Sequence, residues 1–224
     1  MTSIRRNARV AGFLYLLLAI AGPVRLMYIP STLFVAGNAT ATASNIAAHE
    51  TLFRLGMASD LFCGTLVIFL ALALYRLFEG VDRTLAVLMV ILGGLLPAAL
   101  DFVNVLNDAA ALILVRGPDF LSVFDKPQRD ALAMLFLRLH HQEIVGAEIF
   151  WGLWLLPLAL LVYRSRFLPR FLGAWLGING VAYLALSFTG LLLPRYEDML
   201  SNVTFPALAG EVVFLLWLLI RGAS

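Results

Sequence analysis

Six long apolar runs, joined and flanked by short segments that carry most of the arginine and proline, decide what this chain can fold into. A hydrocarbon core about 30 Å thick is crossed by about 20 residues of helix. Inside it every backbone N–H and C=O must be satisfied within the protein, which leaves helices as the economical solution for separate runs of this length. The runs fall at about 10–29, 52–76, 84–114, 131–163, 171–193 and 205–220. Hydrophobic residues make up 62% of the 224 and charged residues 13%, whereas a soluble domain of this length needs far more charge to cover its surface. The fold class read from the sequence is therefore all-α: a polytopic membrane helix bundle of six transmembrane helices, forming one domain over 1–224 with the lipid bilayer as its first partner. A formal charge of +2 gives no ground for a nucleic-acid partner. The lone Cys63 sits in an apolar run and provides neither a disulfide framework nor a cysteine zinc site.

The N-terminus imitates a signal peptide, with Arg5, Arg6 and Arg9 ahead of an apolar stretch. That stretch continues through Gly22-Pro23 to Ile29 with no clear Ala-x-Ala site before a polar loop, so it reads as a retained first helix ending at Pro30. Ser44 or Asn45 is the expected cap of the second helix, and Asp125 with Pro127 marks the start of the fourth. Pro97 and Pro157 lie inside spans and are expected to kink them. Six spans place both termini on one side. Arg5, Arg6, Arg9, Arg76, Arg83, Arg164, Arg166, Arg170 and Arg221 flank one face, against Arg116, Lys126, Arg129 and Arg195 on the other. The positive-inside rule then puts both termini in the cytoplasm.

The most polar stretch beside an apolar run is Arg138-Leu-His-His-Gln-Glu-Ile-Val-Gly-Ala-Glu148. Charge at the mouth of a membrane helix is costly and calls for a reason. Helical rise converts residue counts into depths. Arg25 lies sixteen residues from Arg9, Asp60 sixteen from Arg76, Asp101 seventeen from Thr84 and Glu148 sixteen from Arg164. At 1.5 Å per residue all four come out roughly 24–26 Å from the cytoplasmic boundary. Arg54, Asp108, Arg138, His140, His141 and Glu143 count higher, near the outer interface, and the run Arg138 through Glu143 is cheap to solvate there. Glu211 and Asn179 lie ten and nine residues from Arg221 and Arg170, near mid-membrane, with Asn179 and Tyr183 one turn apart as candidate partners of the carboxylate. Asp101, Asn104 and Asp108 recur at i, i+3 and i+7, a stripe expected to face the bundle interior. The pattern reads as a polar cavity open to the outside, walled by the first four helices and floored near Glu211.

Three chemistries fit these residue types. In the first, the cavity binds or transports a small or lipid-like ligand: Arg25 or Arg54 holds an anionic head group, Asp101, Glu148 and Glu211 exchange protons, and Asp60, Asn104, Asp108 and Asn179 complete the polar wall. In the second, His140 or His141 with Asp60, Asp101 or Glu148 holds zinc with an open coordination position, as in a metal-dependent hydrolase. No His-Glu-x-x-His motif accompanies that set. In the third, Arg25, Arg54 and Arg138 pair with Asp60, Asp101 and Glu148 and only fix helix register. Asp108, Glu143 and Glu211 then remain as acid that pairing does not absorb. Asn38-Ala-Thr40 matches a glycosylation acceptor, and Gly173 with Gly177 has the spacing of close helix packing, read here as intrachain.

The run Ala8-Arg-Val-Ala-Gly-Phe-Leu-Tyr15, then Leu52-Phe-Arg-Leu-Gly56 with Asp60, and Leu135-Phe-Leu-Arg-Leu-His140 carry a family resemblance. It continues in Tyr163-Arg-Ser-Arg-Phe-Leu-Pro-Arg-Phe-Leu-Gly173, Leu192-Leu-Pro194 and Ala209-Gly-Glu211. Together these are similar to the bacterial multi-pass membrane proteins grouped as domain of unknown function 4386. The resemblance spans nearly the whole chain and implies a multi-helix protein of the bacterial inner membrane. It brings no catalytic residues with it.

Cysteines introduced at 60, 101 and 148 are expected to react with a membrane-impermeant thiol reagent in intact cells if the cavity opens outward. Absence of labelling from outside refutes it.

Overall fold

Apolar runs of this length are helical because only intrasegment hydrogen bonds can serve the backbone in lipid. The computed structural model of the chain, which describes residues 2–223, is accordingly helical, with no strand among the described residues. The first span comprises α1 (Thr2–Pro23), a π-helical turn (Val24–Tyr28) and α2 (Ile29–Leu33). A short α3 (Ala39–Ala48) precedes α4 (Glu50–Phe78). The third span joins α5 (Arg83–Val90), a second π-helical turn (Ile91–Leu95) and α6 (Leu96–Arg116). Then come α7 (Lys126–Arg164), α8 (Arg170–Leu192) and α9 (Glu197–Ile220). Six stretches are long and apolar enough to cross a membrane: Ser3–Leu33, Glu50–Phe78, Arg83–Arg116, Lys126–Arg164, Arg170–Leu192 and Asp198–Ile220. The protein is a multi-pass membrane protein.

Local chemistry places the ends. Asp82 accepts from the Leu85 amide at 3.1 Å and starts α5. Asp125 accepts from the Gln128 amide at 2.9 Å while Gln128 accepts from the Asp125 amide at 3.0 Å, a reciprocal capping box that starts α7 with Pro127 in its first turn. The segment before the second span differs from the expectation. Asn38, not Ser44 or Asn45, is the cap, accepting from the Ala41 amide at 2.9 Å, and it opens the separate helix α3. Asn45 instead donates to the Leu33 carbonyl at 3.1 Å, supplying a partner to an end of α2 that has no helical one. The Thr42 hydroxyl both accepts from the Val35 amide (2.9 Å) and donates to the Val35 carbonyl (3.3 Å). The loop 34–38 is thereby stitched down to α3.

The prolines divide into two kinds. Each π-helical turn ends two residues before a proline, Tyr28 before Pro30 and Leu95 before Pro97. Proline cannot donate to the carbonyl four residues back, and a widened turn is one way for a helix to absorb that lost bond. The first span consequently continues past Pro30 to Leu33. Pro157 has no such effect on the assignment, since α7 runs as one α-helix through it.

The chain forms two compact units, with the long helices contributing segments to each. One contains the chain as far as Ala19, Gly64–Ala99, and the chain from Val145 onward. Its core includes Leu70, Leu74, Phe78, Met89, Leu155, Leu158, Phe214 and Leu218. Within it α7 and α8 meet backbone to backbone. A Cβ placed on Gly152 would lie 2.6 Å from the Gly180 carbonyl oxygen, and one on Gly180 would lie 2.9 Å from the Gly152 oxygen. Farther along, a Cβ on Gly173 would come 2.7 Å from the Ala159 oxygen, so this glycine serves packing within the chain. The second unit contains Ile20–Cys63 and Leu100–Ile144, with a smaller core of Ile29, Leu33, Ile46, Phe53, Ala111, Leu112 and Leu137. Large apolar side chains such as Val103, Leu106, Ile178 and Phe205 lie exposed, the arrangement a lipid solvent favours.

Gly152→Ala is expected to cost about 1–3 kcal/mol, because neither carbonyl nor helix axis can give way cheaply. Gly146→Ala, where a Cβ meets nothing within 4 Å, is expected to be neutral or stabilising by up to about 1 kcal/mol. Thermal unfolding of the two variants in one detergent checks both.

Candidate functional site

The second unit holds a buried cluster built from four helical segments. Arg25 comes from the π-helical turn after α1, where the widened backbone presents it inward at 3% exposure. Asp60 comes from α4, Asp108 from α6 and His140 from α7. Arg25 grips Asp108 at both oxygens, with Nη2 donating to Oδ1 at 2.7 Å and to Oδ2 at 2.9 Å, and Nε donating to Oδ2 at 3.1 Å. The same Nε lies 3.3 Å from Oδ2 of Asp60. These contacts engage Nε and Nη2 of the fork, and Nη1 takes part in none of them. The guanidinium carbon stands 5.9 Å from the ring centre of Phe34. Gly56 makes room for the Arg25 stem, since a Cβ there would sit 3.1 Å from Ile29 Cγ1 and 3.4 Å from Arg25 Cδ.

His140 and Asn104 tie α6 to α7. Nδ1 of His140 is 3.4 Å from Oδ2 of Asp108, and the Asn104 amide donates to the His140 carbonyl at 3.1 Å. Asn107 donates to Asn104 at 2.9 Å and holds that amide in place. The Asp101, Asn104, Asp108 stripe faces inward as its spacing requires: Asn104 and Asp108 are buried, while Phe102, Val103 and Leu106 on the other side are exposed. Asp101 and Glu143 stand within electrostatic range of Asp60. Three donor types, an oxygen of Asp60, an oxygen of Asp108 and a ring nitrogen of His140, all lie within 4.8 Å of one another. Neither ring nitrogen of His140 has a hydrogen-bond partner, although the side chain is buried.

Beside this cluster, in the same unit, is a cavity of about 290 Å³. Its polar lining is Arg25, Arg138, His140 and His141; the rest is apolar, including Leu26, Phe34, Val35 and Leu137, with no carboxylate lining it among the described residues. The loop that Thr42 and Asn45 stitch down forms one wall.

The other sequence-predicted residues lie elsewhere. Arg54 pairs with Glu50 at 2.8 Å, and Arg116 approaches the same carboxylate at 3.9 Å, so Arg54 belongs to an exposed charge group on α4. Glu211 and Asn179 belong to the first unit, where Asn179 Nδ2 donates to Glu211 Oε2 at 3.2 Å. Tyr15 also hydrogen-bonds Glu211, and Tyr183 is within hydrogen-bonding reach. Tyr15 is packed edge-on to Phe214, with ring centres 6.4 Å apart. Glu148 falls in that unit too, within electrostatic range of Tyr183.

Two depth readings need correction. Counting placed His140 near the outer interface and easily solvated, but it is 3% exposed; Asp108, counted higher still than Arg25, is fully buried against it. Counting along a helix reports height only; whether a side chain meets solvent is set by which neighbouring helices cover it, and both residues are covered. Of the metal set read from the sequence (His140, His141, Glu148 and Asp101), the clustered trio shares His140, with Asp60 and Asp108 as its carboxylates. Tyr15 was missed. It is the one side chain with a polar atom between Arg9 and Arg25, which was the available signal.

A family model described as Domain of unknown function (DUF4386) matches residues 10–222. The chain belongs to that family. It is also similar to an "Uncharacterized protein" of Archaeoglobus fulgidus, 38% identical over 77 residues, a stretch covering 33% of this chain and 43% of that relative. The chain thus matches less than half the length of this curated relative. No solved structure matches it.

Removing one member of a buried ion pair strands the other, at a cost of about 3–5 kcal/mol, whereas replacing both by apolar groups is often close to neutral. Arg25→Met is therefore expected to destabilise the protein more than the double variant Arg25→Met/Asp108→Leu. Thermal unfolding in detergent is the measurement, and equal losses in both would contradict a coupled pair.

Proposed function

We propose that this protein sits in the bacterial inner membrane with both termini in the cytoplasm and binds a small amphipathic anion, a carboxylate- or phosphate-headed lipid-like molecule. The arginine distribution supports the orientation. The observation that carries the binding reading is the lining of the 290 Å³ cavity: two arginines and two histidines, apolar side chains, and no carboxylate among the described residues. Arginine offers a planar fork suited to carboxylate and phosphate oxygens, and the apolar wall suits a short alkyl segment. The volume lies just under the roughly 300–1,000 Å³ usual for ligand pockets, so it fits a head group and a few methylenes rather than a whole phospholipid. Arg25 is held by two carboxylates, which keeps its charge fixed at the cavity edge. Arg138 is the exposed partner that would close on the head group.

The bidentate Arg25–Asp108 pair favours a second reading, in which the cluster only holds four helical segments together. The two readings separate on ligand discrimination. Decyl phosphate is expected to raise the thermal midpoint of the detergent-purified protein, and decanol at the same concentration is not. Arg138→Gln should weaken decyl phosphate binding roughly tenfold to a hundredfold, the loss of one charge-assisted contact of about 1.5–3 kcal/mol. Equal effects of decyl phosphate and decanol, or an unchanged affinity in Arg138→Gln, leave the structural reading.

A further inference from the structure

We propose that Asp60, Asp108 and His140 form a binding site for a divalent first-row transition metal. Three observations converge on it. The first is geometry: one atom from each side chain lies within 4.8 Å of the other two. Ligands to a single zinc-sized ion sit about 2.0–2.2 Å from it, hence up to about 4.4 Å apart, so small side-chain rotations bring the three into range.

The second is His140 itself. It is 3% exposed, it points Nδ1 at Asp108, and both its ring nitrogens lack a hydrogen-bond partner. Oδ2 of Asp60 is also buried without one. A buried imidazole with neither nitrogen satisfied is rare and costly. The backbone at His140 is well served by Asn104, so the segment is anchored, and the ring faces Asp108 at 3.4 Å without a hydrogen bond.

The third is charge. Asp101, Asp108 and Glu143 each lie within electrostatic range of Asp60, and Arg25 pairs with Asp60 and Asp108. Arg25 alone pairs with two of these four carboxylates, of which Asp108 is buried and the others half-buried, and a divalent cation relieves the remaining acid. The donor set, two carboxylates and one imidazole, selects zinc, manganese, iron or nickel over magnesium or calcium, which favour oxygen alone. The ion and Arg25 share Asp108, so entry of the metal loosens part of the guanidinium's grip and frees donors toward the cavity beside it.

The test uses the full-length protein in detergent, purified through a tag without histidine, stripped with chelator and titrated with Co²⁺. Equilibrium dialysis and the visible cobalt absorption report the binding. Wild type is expected to take up about one ion per chain. His140→Ala and Asp60→Asn should each weaken binding by more than the roughly 10–100-fold that outer-sphere changes cost. His141→Ala should bind as wild type does. If Asp60→Asn is not monodisperse, His140→Ala decides. Absence of stoichiometric Co²⁺ in wild type, or wild-type affinity in His140→Ala, overturns the site. The anion reading is separable, because Arg138→Gln is expected to leave cobalt uptake unchanged while weakening decyl phosphate.

Discussion

The buried guanidinium of Arg25 is the constraint on which the second unit is built. In a low-dielectric interior an unpaired charge costs several kcal/mol, so Arg25 must be met by acid wherever it is placed. Asp108 meets it with both oxygens and Asp60 with one, from two different helices. The surrounding choices then follow. The π-helical turn at Val24–Tyr28 aims the side chain, Gly56 clears its stem, and Phe34 closes over the guanidinium. Asn104 and Asn107 lock the neighbouring face of α6 to α7. Few apolar residues form the core of this unit, and the polar cluster supplies a directional register that packing of small and aliphatic side chains alone would specify less well.

The first unit solves the same problem by other means. Glu211 has no guanidinium beside it; Tyr15 and Asn179 donate to it, and both are neutral. Neutral donors stabilise a carboxyl group in either protonation state, since a phenol or amide can serve the ionised form and an oxygen lone pair of the protonated acid remains available. An arginine pair fixes one charge state. The two clusters are therefore built differently: the Arg25 cluster pairs formal charges, and the Glu211 network surrounds its carboxyl group with neutral donors. Aromatic packing of Tyr15 against Trp154 and Phe214 holds the phenol in position beside Glu211.

How much of this was legible depended on which ruler the residues obey. Span number, the Asp125 capping box and the inward stripe of α6 follow from periodicity and cap chemistry, both of which are local. Arg25 and Asp60, equal in counted depth, do meet. Asp108 and His140 are legible as candidates but not as neighbours of Arg25, because counting along each span reports height and not which side chains meet across helices. Asn38 escaped for a different reason. Its sequence context also matches a glycosylation acceptor, and α3 is too short and weakly amphipathic to announce itself, so its cap had no helix to belong to. Tyr15 was overlooked because a tyrosine in an apolar run reads as an aromatic first and a donor second.

One asymmetry around Arg25 ties the candidate chemistry together. Asp60 and Asp108 pair with the guanidinium, with Asp101 and Glu143 in range of Asp60, while the cavity that Arg25 also lines has Arg138, His140 and His141 and no acid among the described residues. Arg25 and His140 belong to both sets. A cation held among the carboxylates and an anion held in the cavity would therefore favour each other through two shared residues: the cation takes over acid that Arg25 had neutralised, and the released donors then face the anion. Linkage makes that coupling reciprocal, whichever ligand binds first. Without a shared residue the two sites would be neighbours only; with Arg25 between them, the ion pair that orders the unit is also the element whose partners either ligand would change.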